Sequence, residues 1–267
     1  MGFGVMVGLR AQASGTGGSV CPRQLLLQAQ AIGHANTSFL EGTIEDLEAL
    51  PLEPASFDLV VSNCVPNLSR DKPAVLRGVQ RLLKPGGEFS FADVVADRRL
   101  PEAVRRDPVL YGQCLGGDLC WTAFLRLARG AGFADPRLVS ARPLAITDPA
   151  LAPLLGEARF SSATTRLLAI PGLEDACEDH GQAVIYAGTI PDHPHRFDLD
   201  GHPRIETGRV FRVCGNTFRM LRESRLAAHF RFIGDFERHY GPFAGCGSTL
   251  PFAGAGPSAA AEAGSRC

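Results

Sequence analysis

The sequence has no long apolar run: no stretch approaches the ~20 residues that a bilayer-spanning helix needs, and Phe3 to Leu9 is too short for a convincing signal peptide. A myristoylation signal is also missing, because Met6 stands where Ser or Thr is required after Gly2. A cytoplasmic protein without a membrane partner is therefore expected. Charge of one sign is lacking too, with 27 Lys and Arg against 28 Asp and Glu. That balance leaves no electrostatic footprint for nucleic acid. The eight cysteines contain no CxxC pair, which argues against a zinc ribbon or a disulfide scaffold and leaves them as thiols in the cytosol. Cys177-Glu178-Asp179-His180 has a C-x-x-H spacing but no paired partner motif, so a polar loop is the plainer reading. Most telling, residues 1 to 40 contain no Asp or Glu at all.

What is present suits a globular chain of 267 residues with 45% apolar content. Pro22 to Ile32 reads as a helix, Asn36 to Leu40 as a short strand, and Glu41 to Leu50 as an acidic turn with a short helix. Phe57 to Val61 is nearly all apolar, the pattern of a parallel strand buried on both faces in mid-sheet. Ser69-Arg70-Asp71 offers helix caps, Pro73 suits a first helical turn, and Val75, Leu76, Val79, Leu82 and Leu83 recur at helical spacing. Lys84-Pro85-Gly86-Gly87 stops that helix, and a strand with Phe89 and Phe91 ends near Asp93. Strand, helix and strand with tight connections make a βαβ crossover, so this part is α/β. Next come a helix over Leu119 to Gly130 and a return to the sheet over Phe133 to Leu144. Beyond about residue 150 the texture changes. Ala183 to Ile190 and Arg209 to Val213 read as strands, Asn216 caps a helix through about His229, and a Gly/Ala/Ser-rich tail from Phe252 reads as disordered.

In an open α/β sheet the ligand sits at the carboxyl ends of the strands. Three segments occupy such positions: Gly42-Thr43-Ile44-Glu45-Asp46-Leu47, Ser62-Asn63-Cys64-Val65-Pro66-Asn67-Leu68 and Leu82-Leu83-Lys84-Pro85-Gly86-Gly87. In this order they resemble S-adenosylmethionine-dependent methyltransferases of the Rossmann type. A closer resemblance, from about Ser38 to about Gly247, is to the arsenite methyltransferases. It is carried by VVSNCVPNLSRDKPAVLRGVQRLLKPGGEFSFADV, LYGQCLGGDLCW, ARFSSATTRL and FIGDFERHYGPFAGCG.

The resemblance implies methyl transfer from S-adenosylmethionine to trivalent arsenic (arsenite, methylarsonite), a soft centre held by cysteine thiolates, and so a role in arsenic detoxification. Thioredoxin or glutathione is the implied reductant of the protein thiols, and a monomer is expected. Cys114 sits where the family has an arsenic ligand; by itself it reads as a buried structural thiol. Ile44 and Glu45 match contacts on the adenine side of the cofactor, although Glu45 also reads as a solvated acid at a helix start. Asn63 and Val65 match the floor of the cofactor site, and Asn63 reads equally as a turn residue. Cys64 reads as packing beside that floor, and Trp121 as core or pocket wall.

The pattern departs from the family at two places. The second arsenic ligand falls at Ala158, and Cys120, six residues after Cys114, is a substitute only if its loop folds back. The glycine-rich Ser14 to Gly18 stands too close to the segment at Gly42 to leave room for a helix and a second strand. Glu41 as a ribose-binding acid conflicts with the third-strand exit GTIEDL and the fourth strand FDLVVSNCV immediately after it. The expected architecture is α/β: an incomplete Rossmann-type methyltransferase sheet with a smaller C-terminal α+β unit. Its divisions are a divergent leader and partial helix over 1–34, a methyltransferase-like domain over 35–150, an α+β unit over 151–251 and a disordered tail over 252–267. Without the usual N-terminal elements, a central strand is lost unless residues 3 to 9 fill the gap. The alternative to an enzyme is then a truncated, catalytically impaired isoform that binds metalloids through thiols or acts as an interaction protein. Ala158 also admits a methyltransferase for another small nucleophile.

Overall fold

The computed structural model describes residues 8–10, 38, 40–112, 115–117, 119–201, 204–244 and 251–252. The expected helix over 22–32 and the glycine-rich 14–18 lie outside these residues. At the centre is a four-stranded sheet built from β3 (Phe57–Asn63), β4 (Leu83–Ala96), β5 (Arg137–Leu144) and β6 (Phe160–Leu168), in the order β3-β4-β6-β5. β3 and β4 run parallel, while β6 is antiparallel to both β4 and β5.

Helix α1 (Lys72–Leu82) makes the crossover between β3 and β4. Asp71 starts it by accepting a hydrogen bond from the Ala74 N–H at 2.9 Å, and Pro73 costs nothing in the first turn, where its missing N–H has no helical partner. Its apolar stripe of Val75, Leu76, Val79 and Leu82 joins Phe89 and Phe91 of β4 in the main core. β4 continues to Ala96, beyond the expected end near Asp93.

Two expectations about the sheet are corrected. β3 is not a mid-sheet strand buried on both faces: among the described residues it pairs with β4 alone, and Leu59 and Val61 are 40% and 69% exposed. The cause is the placement of β1 (Gly8–Arg10), which pairs in parallel with β2 (Glu41–Thr43) in a separate two-stranded ribbon instead of covering β3. The expected strand over Asn36 to Leu40 lies mostly outside the described residues, and β2 follows directly after it.

The second correction concerns residues after 150. β6 lies in the main sheet, paired with β4 from Glu88–Leu168 to Ala96–Phe160, and not in a separate unit beginning at 151. Its Ser/Thr-rich text hides a period-two strand, in which Ser161, Ala163, Thr165 and Leu167 are buried. The C-terminal sheet proper contains β7 (Ala183–Tyr186), β10 (Val210–Arg212) and β11 (Phe230–Ile233), with the β8–β9 pair (Arg196–Asp198, Arg204–Glu206) beside it. Its helix (Gly215–Arg222) is capped by the Cys214 thiol, which accepts from the Thr217 N–H at 3.4 Å. Asn216 instead binds the Asp135 carboxylate and the Glu174 carbonyl, so the expected Asn216 cap and the length to His229 are both revised. Phe252, placed in the tail by its sequence, packs on the main core; residues 253–267 lie outside the described set.

Two buried charge groups fasten the C-terminal unit to the sheet. Glu88 on β4, 1% exposed, accepts from Arg166 at 2.7 Å and from Arg225 at 3.0 Å. Arg137 on β5 donates to Asp200 at 2.8 Å and to Asp135 at 2.6 Å. Removing one partner of a buried pair strands the other charge, so Arg137→Ala is expected to cost about 3–5 kcal/mol in urea unfolding, and the double change Arg137→Met with Asp200→Leu to recover most of it. A loss below about 1 kcal/mol for the single change contradicts this role.

Candidate active site

Leaving β3, the chain turns at Cys64, which holds φ +54 while its N–H still pairs with the Ala92 carbonyl at 2.9 Å. A left-handed residue here ends the ladder and throws Asn63 and Cys64 outward, where both are exposed. The Cys64 thiol lies 3.6 Å from Asn63 Oδ1, and Val65, half-buried, packs against the main core. From β2, the Glu45 carboxylate accepts the Arg70 N–H at 3.3 Å, which joins the two strand exits. Ile44 is 3% exposed and belongs to the main core, so of the expected cofactor contacts it alone is turned fully inward.

The short 3-10 turn Pro66–Leu68, next in the chain, is held from below by Asp93. Asp93 Oδ2 accepts the Asn67 N–H at 2.9 Å, Oδ1 accepts the Val94 N–H at 2.9 Å, and Asn67 Nδ2 donates to the Val94 carbonyl at 2.6 Å. Lys72 Nζ closes the other side on the carbonyls of Asn67 and Ser69, at 3.0 and 2.9 Å. Burial pushes the Asp93 carboxyl up to about 6, although the two N–H donors and the Lys72 charge pull it back.

The cysteine loop rests on this turn. After α2 (Glu102–Arg106) and α3 (Pro108–Gly112), the Tyr111 hydroxyl donates to the Leu68 carbonyl at 2.7 Å. The backbone of Gly117 lies against the Asn67 carbonyl so closely that a Cβ would overlap it, and one on Gly116 would stand 2.8 Å from the Tyr111 nitrogen. Those contacts explain the glycine pair. Cys114 itself lies outside the described residues, between Gly112 and Leu115.

Cys120 precedes helix α4 (Trp121–Gly130) and bridges to Ala96 of β4. Burial raises its thiol pKa, but the Thr122 hydroxyl, the Ala123 N–H and the Arg99 guanidinium together outweigh burial and lower it. Its neighbour Trp121 is 4% exposed and belongs to the core. Cys120 lines an open cleft of about 840 Å³ with Gly116 and Gly117, whereas Ala158 lines a different, largely apolar depression of about 250 Å³ with Leu144, Ile146 and Phe252. Cys120 and Ala158 therefore face different depressions. At the C-x-x-H segment, His180 Nδ1 bonds the Arg238 carbonyl and Glu178 bonds His239; no group of three or more His, Cys, Asp or Glu among the described residues is arranged to hold a metal. No described helix is long and apolar enough to cross a membrane.

Sequence reasoning missed Asp93, Asn67, Lys72 and Tyr111. Only Asp93 left a signal, an acid among the apolar residues Phe91 to Ala96.

The sheet, the crossover and the strand-end site define a methyltransferase of Rossmann-like fold. Residues 24–132 match the model of a methyltransferase domain, and residues 179–250 match that of the arsenite methyltransferase C-terminal domain. An arsenite methyltransferase of Aquipseudomonas alcaligenes is 61% identical over 234 residues, which cover 88% of this chain and 68% of that protein. The Homo sapiens arsenite methyltransferase is 40% identical over 205 residues, 75% of this chain and 53% of that protein. The crystal structure of CrArsM, an arsenic (III) S-adenosylmethionine methyltransferase from Chlamydomonas reinhardtii, superposes with a TM-score of 0.79 at 49% identity, covering 84% of this chain and 78% of that one. The chain belongs to the arsenite methyltransferase family. It spans about two thirds of the bacterial relative and about half of the human one.

The raised carboxyl of Asp93 gives a signed expectation. The folded state holds a proton between the ordinary value of 3.8 and about 6 that the unfolded state does not, so this group's contribution to stability falls as pH rises through that window. Measured by denaturant unfolding, the stability of Asp93→Asn relative to wild type should improve by roughly 3 kcal/mol between about pH 4 and pH 7. A difference independent of pH contradicts the assignment.

Proposed function

We propose that the chain transfers methyl groups from S-adenosylmethionine to trivalent arsenic held by cysteine thiolates. The observation that carries this reading is the convergence of Glu45, Tyr111 and Gly117 on residues 67–70, the short segment that follows the β3 exit. The residues present suit the cofactor: on the adenine side Glu45 offers an acceptor beside the inward-turned Ile44, and at the floor Asn63 offers an exposed amide and Val65 an apolar surface. When bound, the cofactor supplies an electrophilic methyl on a sulfonium. Cys114 is the proposed ligand for arsenic and Cys120 a second thiol at the same loop. A thiolate of lowered pKa is the form that binds a soft metalloid. The loop's contribution is alignment, since its glycines let it lie directly on the turn that carries the cofactor floor, and methyl transfer is steeply sensitive to position. Thioredoxin or glutathione is the proposed source of electrons for thiols oxidised during turnover.

The test is product analysis with arsenite against small generic acceptors. Methylated arsenicals are expected from the wild-type chain, and Cys114→Ser should reduce their yield by about 100-fold or more. Unchanged yield in that variant removes Cys114 from the site. Methylation of another acceptor in preference to arsenite overturns the substrate assignment.

A further inference from the structure

The cleft that Cys120 lines carries a charge of which the methyl-transfer reading uses only the Arg99 guanidinium. Its walls carry Arg70, Lys72, Arg99, Arg105, Arg106 and Arg126, contributed by the start of α1, the segment after β4, α2 and α4. The chain as a whole has one more acid than base, so this gathering is not a by-product of general basicity. Among the described lining residues Glu102 is the only carboxylate, and it is shared by Arg105 at 3.3 Å and Arg106 at 2.8 Å. Lys72 is engaged by the Asn67 and Ser69 carbonyls. Arg70, Arg99 and Arg126 have no carboxylate ion-pair partner among the described residues.

Like charges drawn around one cavity repel, and a multiply charged anion relieves that repulsion while pairing with several guanidiniums at once. α4 adds to the field, because its N-terminus begins at Cys120 on the same cleft. Leu100, Leu119 and Leu127 supply apolar wall between the charges. A volume of about 840 Å³ is within the range of small-molecule sites.

We infer that this cleft binds a small polyanion, a molecule with two or more phosphate or carboxylate groups on a compact body. Arg99 and Arg126 are its principal contacts, reaching in from the segment after β4 and from α4. The inference does not rest on the role given to Cys114, and its probes are read by binding alone, although the same cleft holds Cys120.

Isothermal titration of the full chain at low ionic strength, with inorganic pyrophosphate and with citrate as probes, tests it. Saturable binding of one molecule per chain is expected for at least one probe. Binding of pyrophosphate alone identifies a phosphate site, binding of citrate alone a carboxylate site, and binding of both a site that reads charge. The double variant Arg99→Ala, Arg126→Ala changes two exposed side chains and should weaken binding by about tenfold or more, as should a rise in salt to about 0.5 M. Absence of saturable binding of either probe up to about 10 mM, or equal affinity in the double variant, overturns the inference.

Discussion

A single buried carboxylate organises the functional end of the sheet. Asp93 gives up solvent to receive the N–H of Asn67 and of Val94, and in doing so ties the exit of β3 to the body of β4. An unpaired buried acid is costly, so these donors are what keeps the group in place. Several neighbouring groups meet at or just beyond the turn it holds. Glu45 reaches the backbone just beyond that turn, Tyr111 and Gly117 contact it, and Lys72 fixes it from the start of α1. Glu45 and Gly117 thus meet one short segment of chain.

The rest of the molecule keeps that support rigid. β4 lies between β3 and β6 and packs its phenylalanines under α1, while Glu88 at its start binds arginines from β6 and from the C-terminal unit. The outer edge is less protected, because β1 pairs with β2 and leaves Leu59 and Val61 of β3 exposed.

Local chemistry is readable from the sequence, and long-range chemistry is not. The cap at Asp71, the apolar stripe of α1 and the βαβ order all come from spacing and residue type within a dozen positions. The strand β6 is hard to see because Ser and Thr occupy most of its central positions and apolar periodicity is weak there. Asn216 reads as a cap because its real partners, Asp135 and Glu174, are far away in the chain. For the same reason the Asp93–Asn67 contact, across 26 positions, has no sequence signature. The motifs resembling arsenite methyltransferases supply the family, but the glycines of the cysteine loop acquire a physical reason only when they are seen against the Asn67 carbonyl.

Methyl transfer by this chain depends on a cofactor site that functions with the strand ends described. Equilibrium dialysis of S-adenosylmethionine against the full chain tests this most directly. Saturable binding with a Kd of about 1 mM or tighter, weakened about tenfold by Glu45→Ala combined with Asn63→Ala, is the predicted result. No saturable binding, or binding indifferent to both substitutions, would contradict it.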